Sequence, residues 1–171
     1  MNYKEILDEI GIPLVFSTSP LDGGGYYLPY AFEYGENGAI IVDGTIESDE
    51  QMEIITLHEC GHKIKGTTLT KLSSSQLHVI NEAKANRFMI HCKAIDYLEE
   101  IDYHACYYTP ERFLTRFKLS VKEFYDMAAQ EMEQIAIDNQ SQLIFWNLRA
   151  MSWISFKYRI GEPHEIWNEK T

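Results

Sequence analysis

The chain has 171 residues, 45% of them hydrophobic, and carries 15 Lys and Arg against 26 Asp and Glu, a net charge of −11. That length suits one domain with a real core, and the acidic balance weighs against direct binding to DNA or to an anionic membrane. There is no apolar run of about 18 residues, the minimum for a membrane span, and Met1-Asn2-Tyr3-Lys4-Glu5 is no signal peptide, so a cytoplasmic location is expected.

Tyr3, Ile6, Leu7 and Ile10 have helical spacing, and Gly11-Ile12-Pro13 stops that helix. Residues 13–16 read as a short strand, and Ser19 to Gly25 as a glycine-rich loop. Residues 25–33 and 38–43 read as two strands joined near Gly35-Glu36-Asn37-Gly38, a plausible hairpin. The strand at 39–43 is expected to be an edge on which an extended peptide can be added.

Ser48-Asp49-Glu50-Gln51 has the form of a capping box, and Asp49, Glu50 and Glu53 put negative charge where a helix dipole favours it. The helix so started contains His58-Glu59-Cys60-Gly61-His62, an HExxH motif. Two imidazoles at i and i+4 stand one turn apart on one face and can reach one metal ion. The neighbouring Glu59 is placed to take a proton from a metal-activated water. With 6 His and 18 Glu in the chain, chance alone produces HExxH about 2% of the time, so the surroundings must decide. Ile54, Leu57, Gly61 and Ile64 form one stripe, the expected core face, while His58, His62 and Ile55 form another with Glu59 at its edge. Cys60 projects away from the histidines and reads as a buried thiol rather than a ligand. The bland alternative, two solvated histidines, leaves a Glu between them with no packing reason. Gly66 is a fair helix stop.

Catalytic zinc takes three protein ligands and keeps one position for water, so a third ligand is expected on another element. Ser73 with Gln76 supplies the next capping box. On the helix that follows, His78, Glu82 and Asn86 form one polar stripe among Leu77, Val79, Ile80, Ala83, Ala85, Phe88, Met89 and Ile90. A polar line on an otherwise apolar helix needs partners. Glu82, 20 residues after His62, is the favoured third ligand. His78 is the competitor and would give a three-histidine site, and a merely solvated face is the third possibility. Asn86 is placed to accept the free ring N–H of a ligating His. His78, and more weakly Tyr26, Tyr27, Tyr30, Tyr107 and Tyr108, are candidates to steady a developing oxyanion.

Thr109-Pro110 opens a short helix, and Ser120-Val121-Lys122-Glu123 reads as a further capping box, with Leu119 and Phe124 as a hydrophobic staple. The pair invites a helix-turn-helix reading, but Arg112, Arg116, Lys118 and Lys122 are few and flanked by acids, so a structural pair is expected. Phe145, Trp146, Trp153, Phe156 and Tyr158 make residues 141–160 an aromatic segment suited to a core or a docking face, read as helix. The expected division is a domain over 1–140 and a C-terminal extension over 141–171. Cys60, Cys92 and Cys106 are scattered and odd in number, which suits reduced thiols rather than a disulfide framework.

With its HExxH, the run Glu82-Ala83-Lys84-Ala85-Asn86-Arg87-Phe88 resembles the E-x-x-A-N-x-F pattern of the ImmA/IrrE metallopeptidases. Gly25-Tyr26-Tyr27-Leu28 and Gly38-Ala39-Ile40-Ile41-Val42-Asp43 are similar to that family's two strands before the active helix, so the likeness covers roughly residues 1–130. The Glu about 20 residues downstream is also similar to the wider gluzincin group, in which an acidic residue four after the ligand Glu supports a zinc-bound His; Asn86 holds that place here. The resemblance implies an α+β, zincin-like domain: a short mixed or antiparallel sheet packed on the HExxH helix and a Glu-bearing helix, with further C-terminal helices. It implies a Zn²⁺ endopeptidase that cleaves or inactivates a helix-turn-helix repressor of a phage or integrative element, with the repressor a separate protein. Ile90-His91-Cys92-Lys93-Ala94-Ile95 departs from the family's small-residue and Met-Pro ending. The rival from another class is a non-proteolytic, zinc-containing regulator or anti-repressor that acts by binding its partner.

Overall fold

The structure is a computed structural model and describes residues 3–30, 33–34, 37–69 and 72–139. Helix α1, Tyr3–Ile10, buries Ile6 and Leu7. It ends at Gly11, whose φ of +62° is left-handed backbone that glycine takes without penalty. Strands β1 (Leu14–Ser17), β2 (Gly25–Leu28) and β3 (Ala39–Asp43) form a sheet in the order β1-β3-β2. β1 pairs with β3 in parallel, Leu14 against Ile40, and β2 pairs with β3 antiparallel, Tyr26 against Ile41.

Two expectations change here. β2 stops at Leu28 rather than at residue 33, because Pro29 has no N–H to continue a ladder. β3 is the central strand and not an edge. Its unbroken run Ala39-Ile40-Ile41-Val42 suits a strand covered on both faces, and Ala39, Ile40 and Val42 are fully buried. The edges are β1 and β2. The Gly35–Gly38 turn is only partly within the described residues. At the end of β3 the buried Asp43 carboxylate accepts the Thr45 hydroxyl and the backbone N–H groups of Leu21 and Thr45, which hold it below its ordinary range. It thereby ties together the loops that follow β1 and β3.

Helix α2, Asp49–Lys65, starts as expected: the Ser48 hydroxyl accepts the Gln51 N–H at 3.3 Å. It packs on β2 and β3 on one side and on α3 on another. That double cover buries Thr56, Leu57, Glu59, Cys60 and Gly61 and blurs the single apolar stripe. Ile64, expected in the core, lies in the last turn and is exposed.

Helix α3, Ser75–Glu100, is capped by Ser74, whose hydroxyl accepts the Leu77 N–H, and not by Ser73 as the sequence pattern suggests. Three successive serines offer three alternative caps, and the turn closes on the middle one. Leu77, Val79 and Ile80 are exposed, so its first two turns stand clear of the core, and the buried face begins at Asn81 and Ala85. Helices α4 (Pro110–Arg116) and α5 (Val121–Asp138) complete the described elements. Thr109 caps α4 as expected, but Ser120 forms no side-chain cap on α5; its carbonyl accepts the Glu123 and Phe124 N–H groups instead.

Phe117 stacks edge-on against Tyr97 of α3, whereas Glu131 of α5 reaches Arg87 and His91, so α5 runs antiparallel to α3. Phe113, Leu114 and Phe117 are buried and Arg116 pairs with Glu50 and Glu100, which gives the α4–α5 pair a packing role. Lys93, 5% exposed, bonds Glu53 at 2.9 Å and Asp96 at 3.0 Å with its ammonium over the Phe117 ring, and so ties α2 to α3. The described residues thus form an α+β fold of five helices and a three-stranded mixed sheet. Among them no helix is long and apolar enough to cross a membrane. The aromatic segment at 141–160 and the division at residue 140 lie outside the described residues.

Candidate metal centre

HExxH puts His58 and His62 on the side of α2 that faces α3, and the two helices come close because residue 61 is glycine. A Cβ at Gly61 would stand 2.7 Å from the Ala85 Cα and 2.8 Å from its carbonyl oxygen. Glu82, one turn before Ala85, is thereby carried to both histidines. His58 Nε2 lies 3.1 Å from His62 Nε2 and 3.3 Å from Glu82 Oε2, and His62 Nε2 lies 3.4 Å from Glu82 Oε1. Ligand atoms of the three residues lie within 4.8 Å of one another.

That triangle can be compared with what a metal requires. Tetrahedral zinc with bonds of about 2.05 Å holds its donors about 3.3 Å apart. The two imidazole nitrogens, 3.1 Å apart, are close to that edge, and each lies 3.3 to 3.4 Å from a different oxygen of the Glu82 carboxylate, so the three side chains converge on one place, and two imidazoles with one carboxylate make a set that zinc accepts. His62 is held below its ordinary range, first by burial and then by the charge of His58, with Glu82 opposing. The neutral imidazole that a ligand must present is therefore favoured.

Glu59 is 6% exposed, where a carboxylate is costly. Burial raises its carboxyl to about 7, a hydrogen bond from the Tyr27 N–H opposes this, and the nearby Glu82 charge adds to it. The Tyr27 contact follows from the ladder. Asp43 N–H bonds the Gly24 carbonyl, so Gly25 and Tyr27 fall at alternate positions whose backbone groups point away from β3. The edge strand thus holds the Glu59 carboxylate.

A cleft of about 570 Å³ opens over these groups, lined by Tyr26, Tyr27, His58, Glu59, His62 and Glu82 among others. His78 is exposed on the cleft wall and is not within the ligand cluster, whereas Glu82 is. Asn86 is half-buried one turn beyond Glu82; among the described residues its side chain makes no hydrogen bond to His58 or His62. Of the tyrosines singled out, Tyr26 and Tyr27 line the cleft. Tyr107 and Tyr108 lie elsewhere, the Tyr107 carbonyl accepting from the Tyr97 hydroxyl and the Tyr108 hydroxyl bonding the Ala94 carbonyl, and Tyr30 is 76% exposed outside the lining.

The sequence pattern gave no weight to Asn81. Its buried amide accepts the Thr67 N–H at 3.1 Å and donates to the Thr67 carbonyl at 2.6 Å, fastening the α2–α3 connection to α3 where both line the cleft. The one available signal was a short polar residue on the inner side of an apolar run. Lys63, also in the lining, donates to the Asn37 carbonyl. No protein-family profile, no curated protein and no solved structure matches this chain.

Proposed function

We propose that the chain is a zinc-dependent endopeptidase of zincin-like build, with His58, His62 and Glu82 as metal ligands and Glu59 as general base. The observation that carries this reading is the convergence of His58, His62 and the Glu82 carboxylate, with ligand atoms within 4.8 Å of one another, beside a buried carboxylate. Two nitrogen donors favour zinc over magnesium or calcium, which take oxygen shells.

When bound, the ion would supply a Lewis acid for a water molecule and for the scissile carbonyl. Glu59 takes the proton that the water loses as its oxygen bonds the carbonyl carbon. It passes that proton to the nitrogen as the C–N bond breaks, leaving a carboxylic acid and an amine. Glu59, 6% exposed and in the cleft lining beside the ligand side chains, stands close to both halves of this transfer. The Tyr27 N–H keeps the carboxylate oriented between them. An extended substrate would lie along β2, the edge that borders the cleft, rather than along β3. Tyr26, Tyr27 and His78, which line the cleft, are the candidates to steady a developing oxyanion. The substrate class suggested by the sequence resemblance is a separate helix-turn-helix repressor.

The test is incubation with any helix-turn-helix repressor found encoded beside this chain, with and without chelator, read by intact mass. One zinc per chain and cleavage abolished by chelator are expected. Glu59→Gln should keep the zinc and lose activity by several orders of magnitude, while His58→Ala should lose both. Zinc retained with the repressor uncut in every arm would leave a metal-containing binding protein in place of a peptidase.

A further inference from the structure

The face of α3 opposite the metal ligands carries a second recess. Counting 100° per residue, Lys84, Arg87 and His91 point roughly 140° to 180° away from Glu82. A groove of about 570 Å³ lies there, with Phe88 and Cys92 at its apolar floor and Lys65, Lys84, Arg87 and His91 around it. Its one acid, Glu131, is already held by Arg87 at 3.0 Å and by His91 Nδ1 at 3.0 Å. Lys65 and Lys84 form no ion pair among the described residues. With histidine neutral, three positive charges face one negative in a chain whose net charge is −11. Beyond the groove, the exposed Leu77 and Ile80 extend the apolar surface along the same helix.

We propose that this groove is a docking surface for an acidic, apolar-faced segment of a partner protein. Lys84 to His91 spans about 10 Å of helix, more than one carboxylate can satisfy, and the apolar floor calls for side chains between the acids. An amphipathic helix laid in a groove has that combination. Two other occupants fit the charge less well. Residues 140–171 carry four cations (Arg149, Lys157, Arg159, Lys170) against three acids (Glu162, Glu165, Glu169). A second copy brings another −11 to the encounter. The groove lies on the far side of α3 from the cleft, so a partner held here leaves the metal centre open. The proposal does not depend on hydrolysis.

The test uses the full chain and a fluorescein-labelled peptide of about 14 residues, with Leu at three- and four-residue spacing flanked by Glu. A second peptide carries Lys for each Glu. Saturable micromolar binding of the Glu peptide alone is expected, weakening as salt is raised. Amide signals of Lys84, Phe88 and His91 should shift on binding. The double variant K65E/K84E should bind about tenfold or more weakly, and K65A/K84A by less. Affinity should be unchanged in His58→Ala, which separates this surface from the metal site. The proposal is overturned by no saturation at about 1 mM peptide, by equal binding of the Lys peptide, or by unaltered affinity in K65E/K84E. It is also overturned by a wild-type dimer in sedimentation that K65E/K84E dissolves, or by displacement of the Glu peptide by a synthetic 140–171 segment.

Discussion

Burial raises the Glu59 carboxyl from an ordinary 4.5 to about 7 in the metal-free protein. A folded state that prefers the protonated acid contributes stability that is fully present below about pH 4.5 and is lost as pH rises through about 7. A shift of that size corresponds to a loss on the order of 3 kcal/mol by pH 8. Metal-free wild type should therefore melt progressively lower than metal-free Glu59→Gln between pH 5 and pH 8, with the two converging at acid pH. Parallel melting curves for the two proteins across that range would contradict the burial of the charge. A second comparison separates ligand from wall. His78→Ala should keep one zinc per chain while Glu82→Ala loses it, measured by metal analysis after gel filtration. Zinc lost from His78→Ala and kept by Glu82→Ala would reverse the assignment. His58, Glu59 and His62 were legible because HExxH is a local spacing rule on one helix. The Asn81 clamp was not, because its partner Thr67 lies across a helix connection and nothing in the residue type announces it.

The α2–α3 contact sets the distance from the histidines to Glu82, and Gly61 sets the α2–α3 contact. Gly61→Ala would drive a methyl into the Ala85 backbone, at a cost of about 1–3 kcal/mol. The melting temperature should drop and zinc affinity should fall with it, because the helices must part where the donors converge. Zinc affinity equal to wild type in Gly61→Ala would show that the donors adjust independently of the seam. Most helix starts were readable from Ser, Thr and Pro at the right offsets, as at Ser48 and Thr109. Ser73 was misplaced by one residue because adjacent serines present equivalent side chains. The position of β3 was misread because strand order is a non-local property. A hydrophobic run reports burial, but only pairing with β1 reports that both edges are taken.

At the scale of the whole molecule, the α+β class was legible because short strand-like runs at 13–16, 25–33 and 38–43 lie between a first helical period and a series of later ones. The packing around α2 was less so: with the sheet on one side and α3 on the other, the helix shows little amphipathic contrast. Cys60 sits between the two histidines in sequence yet turns into the core. It is fully buried, with its thiol pushed up to about 12 by burial, whereas Cys106 is exposed. Thiol chemistry on this chain is therefore a clock for local opening. A maleimide should label Cys106 within mixing, and Cys60 only when α2 lifts from the core. Zinc that bridges α2 and α3 should hold that helix down, so Cys60 trapping should slow on adding zinc while Cys106 labelling stays constant. Both rates can be followed by peptide mass, and a Cys60 rate indifferent to zinc would mean that metal binding leaves the opening of α2 untouched.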